Sequence, residues 1–143
     1  MKRTVYLGGY LREDCEFDVR WRQEATVELH QSDCFRVLNP LRDKDEVGSS
    51  KGPEAKEKVH RDTQDIERAD IVLLVVMPRE GDRQSIGTFA ELGIAHEAPG
   101  QKLIAFVSRD EAILDHFFIQ TIATKTFRSP SDAVDFIKAH WSE

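Results

Sequence analysis

Only two of the 143 residues are cysteine, Cys15 and Cys34, and they form no CxxC pair. That excludes a disulfide-stapled scaffold and a cysteine zinc site, and both side chains read as free thiols in a reducing, cytoplasmic compartment. No secretory leader is expected, because Met1-Lys2-Arg3 runs straight into a short strand. No apolar run approaches the length that crosses a bilayer, so no membrane partner is expected. Basic residues are outnumbered, 20 Lys and Arg against 26 Asp and Glu, for a net charge of -6. Polymeric nucleic acid needs a basic face and is not an expected partner, although a small anionic ligand needs only a few amides and one arginine. The five histidines show no HExxH or similar spacing, so no metal is expected. Gly8-Gly9 is not GxGxxG, and the run GSSKGP at 48–53 is not GxxxxGK[ST], so no dinucleotide or P-loop fingerprint is present and no cofactor is expected.

What is present is an ordinary globular composition, 40% hydrophobic and 32% charged, in a chain of single-domain length (1–143). Apolar runs and helical stripes alternate. Strands are expected at Thr4–Leu7, Phe35–Leu38, Ile71–Met77, Leu103–Val107 and Ala123–Phe127. Helices are expected at Val19–Gln31, Glu54–Ala69, Thr88 to about Glu97, Glu111–Ile119 and Pro130–His140, the last with Ser129 as cap. The seven apolar residues from Ile71 read as a central strand covered on both faces. Strand–helix alternation predicts an α/β protein with a doubly wound, five-stranded parallel sheet, helices on both faces and strand order 2-1-3-4-5. In that order Gly8-Gly9, Asn39 to Arg42 and Ser85 to Glu91 ring one cleft.

The most informative stretch is Ser85-Ile86-Gly87-Thr88-Phe89-Ala90-Glu91-Leu92-Gly93-Ile94-Ala95, placed where the central strand has ended and a helix begins. Gly87 lets the backbone approach a ligand, and the first helical amides suit an anion. Glu91 has two readings. Thr88-x-x-Glu91 matches a capping box, and a carboxylate in the first turn of a helix, kept ionised by the helix dipole, suits a nucleophile. Asp62 falls on the thin inward stripe of its helix with Val59, Ile66 and Ala69, where a carboxylate is costly unless paired or used. Asp65 points elsewhere and reads as solvated. Trp21 reads as core or interface rather than a ligand platform, and Arg22 as either a solvated charge or a site residue. The polar segment Asp43–Pro53 reads as a solvent loop or an active-site lid.

Taken together these residues resemble the nucleoside 2-deoxyribosyltransferase family. The resemblance is carried by Val5-Tyr6-Leu7-Gly8-Gly9, by Val37-Leu38-Asn39-Pro40, by Asp62 with Asp70-Ile71-Val72-Leu73, and by Ser85-Ile86-Gly87-Thr88-x-x-Glu91-Leu92-Gly93-x-Ala95. It implies a flavodoxin-like fold, Glu91 as the nucleophile that attacks the anomeric carbon of a 2′-deoxyribosyl group, and Asp62 beside the nucleobase assisting proton transfer. It further implies substrate-binding roles for Tyr6, Gly8, Gly9, Asn39, Arg42, Ser85 and Gly87, a small-molecule nucleoside or nucleotide as the partner, and a homo-oligomer. Transferases acting on free nucleosides often carry Asp six residues before the nucleophile. Ser85 stands there instead, and resembles the branch that hydrolyses 2′-deoxynucleoside 5′-monophosphates, where the hydroxyl helps hold the phosphate. Two other classes of function are compatible with the same residues: a non-catalytic nucleotide sensor, and an enzyme acting on another N-glycoside such as NAD.

Overall fold

The computed structural model describes residues 1–12, 14–41 and 53–141, with the side chains of residues 53 and 54 left aside. Arg42 and the segment 43–52 lie outside the described residues. In chain order the elements are β1 (Arg3–Gly9), α1 (Glu16–His30), β2 (Phe35–Leu38), α2 (Pro53–Arg68), β3 (Ile71–Val76), α3 (Ile86–Glu97), β4 (Leu103–Ser108), α4 (Glu111–Leu114), α5 (Phe117–Ile122), β5 (Lys125–Phe127) and α6 (Pro130–Trp141). The strands form one parallel sheet in the order β2-β1-β3-β4-β5, as the strand–helix alternation predicts.

The period of two along each strand divides the core into two layers. Val5 and Leu7 of β1, with Ile71, Leu73 and Val75 of β3, face Trp21, Ala25 and Leu29 of α1 and Ala133, Val134 and Ile137 of α6. Tyr6, Val72, Leu74, Val76 and Phe106 face the other way, onto Ile66 and Ala69 of α2 and Leu92 and Ala95 of α3. All six residues of β3 are buried, which is why that strand reads as an unbroken apolar run rather than an alternating one. No described helix is long and apolar enough to cross a membrane.

Several boundaries depart from expectation for local reasons. α1 begins at Glu16, not Val19, so the end of the polar stretch Tyr10–Asp18, expected to be a loop, is helical; Asp18 in the first turn is bound by the Arg12 amide at 2.9 Å. The segment Glu111–Ile119 is two short helices. Asp110 caps the first through Ala112 and Ile113, and Nδ1 of His116 caps the second by accepting from the Phe118 amide. On α2, Asp65 is buried, only 4% exposed, and is not the solvated charge expected. Val59, expected inside, is 63% exposed, because it lines an open cleft rather than packing on the sheet. Arg22 is fully buried and so is not a solvated charge.

The exit of β1 is set by the glycine pair. Gly9 has φ +149°, and a Cβ there would lie 2.5 Å from the Val75 carbonyl oxygen of β3. Any side chain must therefore push the two central strands apart at the edge where they end. Gly9→Ala is expected to lower stability by roughly 2–3 kcal/mol, read as a lower urea midpoint at unchanged m-value. An unchanged midpoint would show that the strand ends yield freely.

Candidate active site

At the carboxyl ends of the strands, where the connections from β1 and β3 diverge to opposite sides of the sheet, a cleft of about 750 Å³ opens between α2 and α3. Its walls include Tyr6 and Gly9 of β1, Lys58, Val59 and Asp62 of α2, the loop Arg79–Ser85, and Gly87, Thr88 and Glu91 of α3. Two carboxylates thus reach one space from different helices. A second, largely apolar hollow of about 780 Å³ lies beyond the start of α3, walled by Phe89, Leu92, Phe118, Ile119 and Ile122. It shares Ser85 and Arg83 with the cleft but contains neither Glu91 nor Asp62.

Glu91 is the sixth residue of α3, one turn deeper than expected, because the helix starts at Ile86 with Ser85 as its N-cap residue. The Ser85 carbonyl takes the Phe89 amide at 3.1 Å, which begins the helix ahead of Thr88. The capping box is therefore not formed: Thr88 is interior to the helix, and its Oγ1 accepts from the Ser85 hydroxyl at 2.6 Å. The Glu91 carboxylate instead accepts a hydrogen bond from the Tyr6 hydroxyl. Nor does the helix dipole dominate its ionisation. Burial pushes the Glu91 carboxyl up to about 7, with the Tyr6 hydrogen bond opposing and the Asp62 charge adding to the rise. Tyr6 itself is driven far above the ordinary phenol range, first by burial and then by the Glu91 and Asp62 charges, so it keeps the proton it donates to Glu91. Gly8 lies beneath the pair: a Cβ there would come 2.9 Å from the Tyr6 ring and 3.3 Å from Oε1 of Glu91.

Asp62 is buried at the cleft wall and its Oδ2 accepts from Nζ of Lys58 at 2.7 Å, an i,i+4 pair. The Arg61 guanidinium stands 3.8 Å from the other oxygen. Gly87 lines the cleft with open space where a Cβ would be. Asn39 is set one residue back. Its Oδ1 accepts from the Leu41 amide at 2.9 Å, and Pro40 is the neighbour that lines the cleft. Arg42 lies outside the described residues. The start of α3 has no side-chain cap, so the amides of Gly87 and Thr88 face the cleft as donors.

Sequence reasoning missed the group that closes one end of the cleft. Arg12 binds Asp18 through Nε at 2.9 Å and Nη2 at 2.7 Å, and reaches Asp82 and the Met77 carbonyl through Nη1. Its guanidinium lies 3.9 Å from the centre of the Tyr10 ring, whose hydroxyl donates to the Arg83 carbonyl at 3.0 Å. Asp82 is pulled below the usual carboxylate range by the Arg79 amide and then by the Arg79 and Arg12 side chains. This network joins the β1–α1 loop to the β3–α3 loop across about seventy positions, which no local pattern reports. The Lys58–Asp62 pair was also missed, although its i,i+4 spacing is a signal that could have found it.

A carboxyl group whose folded pKa is raised contributes stability below its unfolded pKa and loses it as pH rises through the folded value. For Glu91 that window runs from the ordinary 4.5 to about 7. Glu91→Gln removes the buried charge, so at about pH 8 the variant is expected to exceed wild type in stability by on the order of 1–3 kcal/mol, an advantage that shrinks towards about pH 4. Chemical denaturation at the two pH values measures it, and an equal difference at both would show that Glu91 is not a strained carboxylate.

The sequence model described as "Nucleoside 2-deoxyribosyltransferase like" matches residues 2–109. No curated protein matches the chain in sequence. Among solved structures, a 2-deoxyribosyltransferase from Bacillus psychrosaccharolyticus superposes with TM-score 0.69 at 18% identity, covering 92% of this chain and 90% of its own. The 2-deoxyribosyltransferase of Leishmania mexicana gives TM-score 0.57 at 18% identity, over 76% of this chain and 65% of its own. A conserved protein from Enterococcus faecalis V583 gives 0.72 at 14% identity, over 98% and 99%. At these identities the neighbours speak for the shared flavodoxin-like fold, while the sequence match spans β1 through β4 and every described cleft residue. The chain belongs to the nucleoside 2-deoxyribosyltransferase-like family of enzymes.

Proposed function

We propose that the chain cleaves the N-glycosidic bond of 2′-deoxynucleoside 5′-monophosphates, with Glu91 as nucleophile and Asp62 beside the leaving base. The observation that carries this is the Tyr6–Glu91 pair, a carboxylate kept at the floor of a cleft by one hydroxyl, with Asp62 on the facing helix. The Glu91 carboxylate attacks C1′ and forms a C–O bond as the C1′–N bond breaks. The bonding electrons leave on the base, which takes up a proton through the Lys58–Asp62 pair. Positive charge that builds on the sugar ring is stabilised by the same carboxylate. Water, or a second base in an exchange reaction, then attacks C1′, returns a proton to the Lys58–Asp62 pair and frees Glu91.

The phosphate preference is supported at the opposite end of the cleft. The uncapped amides of α3 and the nearby Arg83 suit a phosphate dianion, and the Ser85 hydroxyl would join them by turning from Thr88 Oγ1 to the phosphate. Arg12 and Arg79 pair with Asp82 and offset a carboxylate that would otherwise oppose the anion there. A homo-oligomer belongs to the same proposal: Ile86 at the start of α3 and Phe117 and Phe118 on α5 remain exposed and apolar.

A panel of deoxynucleosides and their 5′-monophosphates, with and without an acceptor base, tests the reading by chromatography of released base. Wild type is expected to favour the monophosphate in kcat/KM, and a ratio at or below one would return the site to free nucleosides. Glu91→Gln should lose at least about a hundredfold in base release while remaining folded. In wild type, kcat/KM should rise with pH through the Glu91 ionisation near 7. Ser85→Asp places a carboxylate where the phosphate is held, and should lower the monophosphate-to-nucleoside ratio by about tenfold or more.

A further inference from the structure

Arg22 is the one fully buried cation among the described residues, and nothing in the reaction above uses it. It projects from α1 to the exit of β1. Its Nε donates to the Leu7 carbonyl at 3.2 Å, and its Nη1 donates to the Tyr10 carbonyl at 2.9 Å and the Asp18 carbonyl at 2.8 Å. Its guanidinium lies 4.8 Å from the centre of the Trp21 ring. Nη2 is buried without a hydrogen-bond partner. The carboxylate of Asp18, one turn earlier on the same helix, is already engaged by three donors of Arg12.

A buried guanidinium that touches only carbonyls is costly, since its charge meets no contacting carboxylate. The position explains the expense. Leu7 and Tyr10 are the residues on either side of Gly8-Gly9, so the fork holds both ends of the strand exit. On the other side of that exit lies Glu91, with Oε1 3.3 Å from where a Gly8 Cβ would be. The exit itself is Gly8-Gly9, which carries no side chain.

We infer that Arg22 is a positioning residue for the nucleophile: it fixes the β1 exit beneath Glu91 and sets a permanent cation behind the Tyr6–Glu91 pair. The inference rests on Glu91 being the reacting carboxylate. The groups that bear on Glu91 are Tyr6 from β1, Asp62 and Lys58 from α2, and Arg22 from α1. Tyr6, Lys58 and Arg22 favour the anion, whereas Asp62 and burial oppose it. Burial also lowers Arg22, to about 10, which leaves it charged across the neutral range.

The test titrates the Glu91 carboxyl by NMR in protein carrying ¹³C-labelled glutamate, the resonance being assigned with Glu91→Gln. Arg22→Met should raise the midpoint by at least about half a pH unit, roughly a threefold change in the ionisation constant. Arg22→Lys keeps the charge but not the planar fork. It should stay near the wild-type midpoint yet lose several-fold in kcat at about pH 7.5, where Glu91 is ionised to the same extent in both proteins and the lysine is still charged, with KM little changed. A folded Arg22→Met protein with the wild-type midpoint overturns the electrostatic role. A folded Arg22→Lys protein with the wild-type kcat overturns the positioning role, and it decides alone if Arg22→Met does not fold. The midpoint is read without substrate, so it stands apart from the nucleophile assignment, which Glu91→Gln decides by activity.

Discussion

A carboxylate taken out of water resists ionisation, and the nucleophilic role proposed for Glu91 needs the anion. Most of the geometry at the ends of the strands bears on that conflict. Tyr6, itself buried and unable to ionise, points its hydroxyl at the carboxylate from the strand below. Gly8 leaves room for the contact, since any side chain there would strike the Tyr6 ring and Leu74 of the next strand. Lys58 brings a positive charge from α2, and Arg22 brings another from behind the strand exit. The carboxylate is therefore kept in a state of balance, with an ionisation near neutrality rather than near the ordinary glutamate value.

The sheet makes that balance attainable. β1 and β3 are neighbours whose following helices lie on opposite faces, so their ends part at one edge and leave a cleft. α2 and α3 both pack on the face that carries Tyr6, Leu74 and Phe106, which brings Asp62 and Glu91 to the same opening. The loops that complete the cleft are tied to each other by Arg12, which joins Asp18 of α1 to Asp82 of the β3–α3 loop. A rigid floor built from strands and a wall tied by ion pairs give the two carboxylates little freedom to drift.

How much of this was legible depended on how local each signal was. Five strands, their order and the two helical layers followed from apolar periodicity, because β3 and the inward faces of α1 and α6 write burial directly into the chain. Asp62 was legible as a carboxylate on an inward stripe, and Lys58 stood within one turn of it. The fate of Glu91 was not. Thr88-x-x-Glu91 satisfied a capping rule, and only the start of α3 at Ile86, with the Tyr6 hydroxyl in reach, took the side chain away from the capping use. Asp65 and Val59 were misplaced because a helical stripe gives a direction but not whether sheet or open cleft lies opposite.

The sequence by itself determined the architecture, the family and the two carboxylates, Glu91 and Asp62, that share the cleft, since strand and helix periods, glycine pairs and spaced motifs are properties of short windows. Tertiary structure alone decided the ionic state of the site. Whether Glu91 is near neutrality, whether Arg22 is buried and whether Asp82 is paired depend on desolvation and on charges that come from residues far apart in the chain. Those fields act through space, over distances that folding sets and sequence spacing does not.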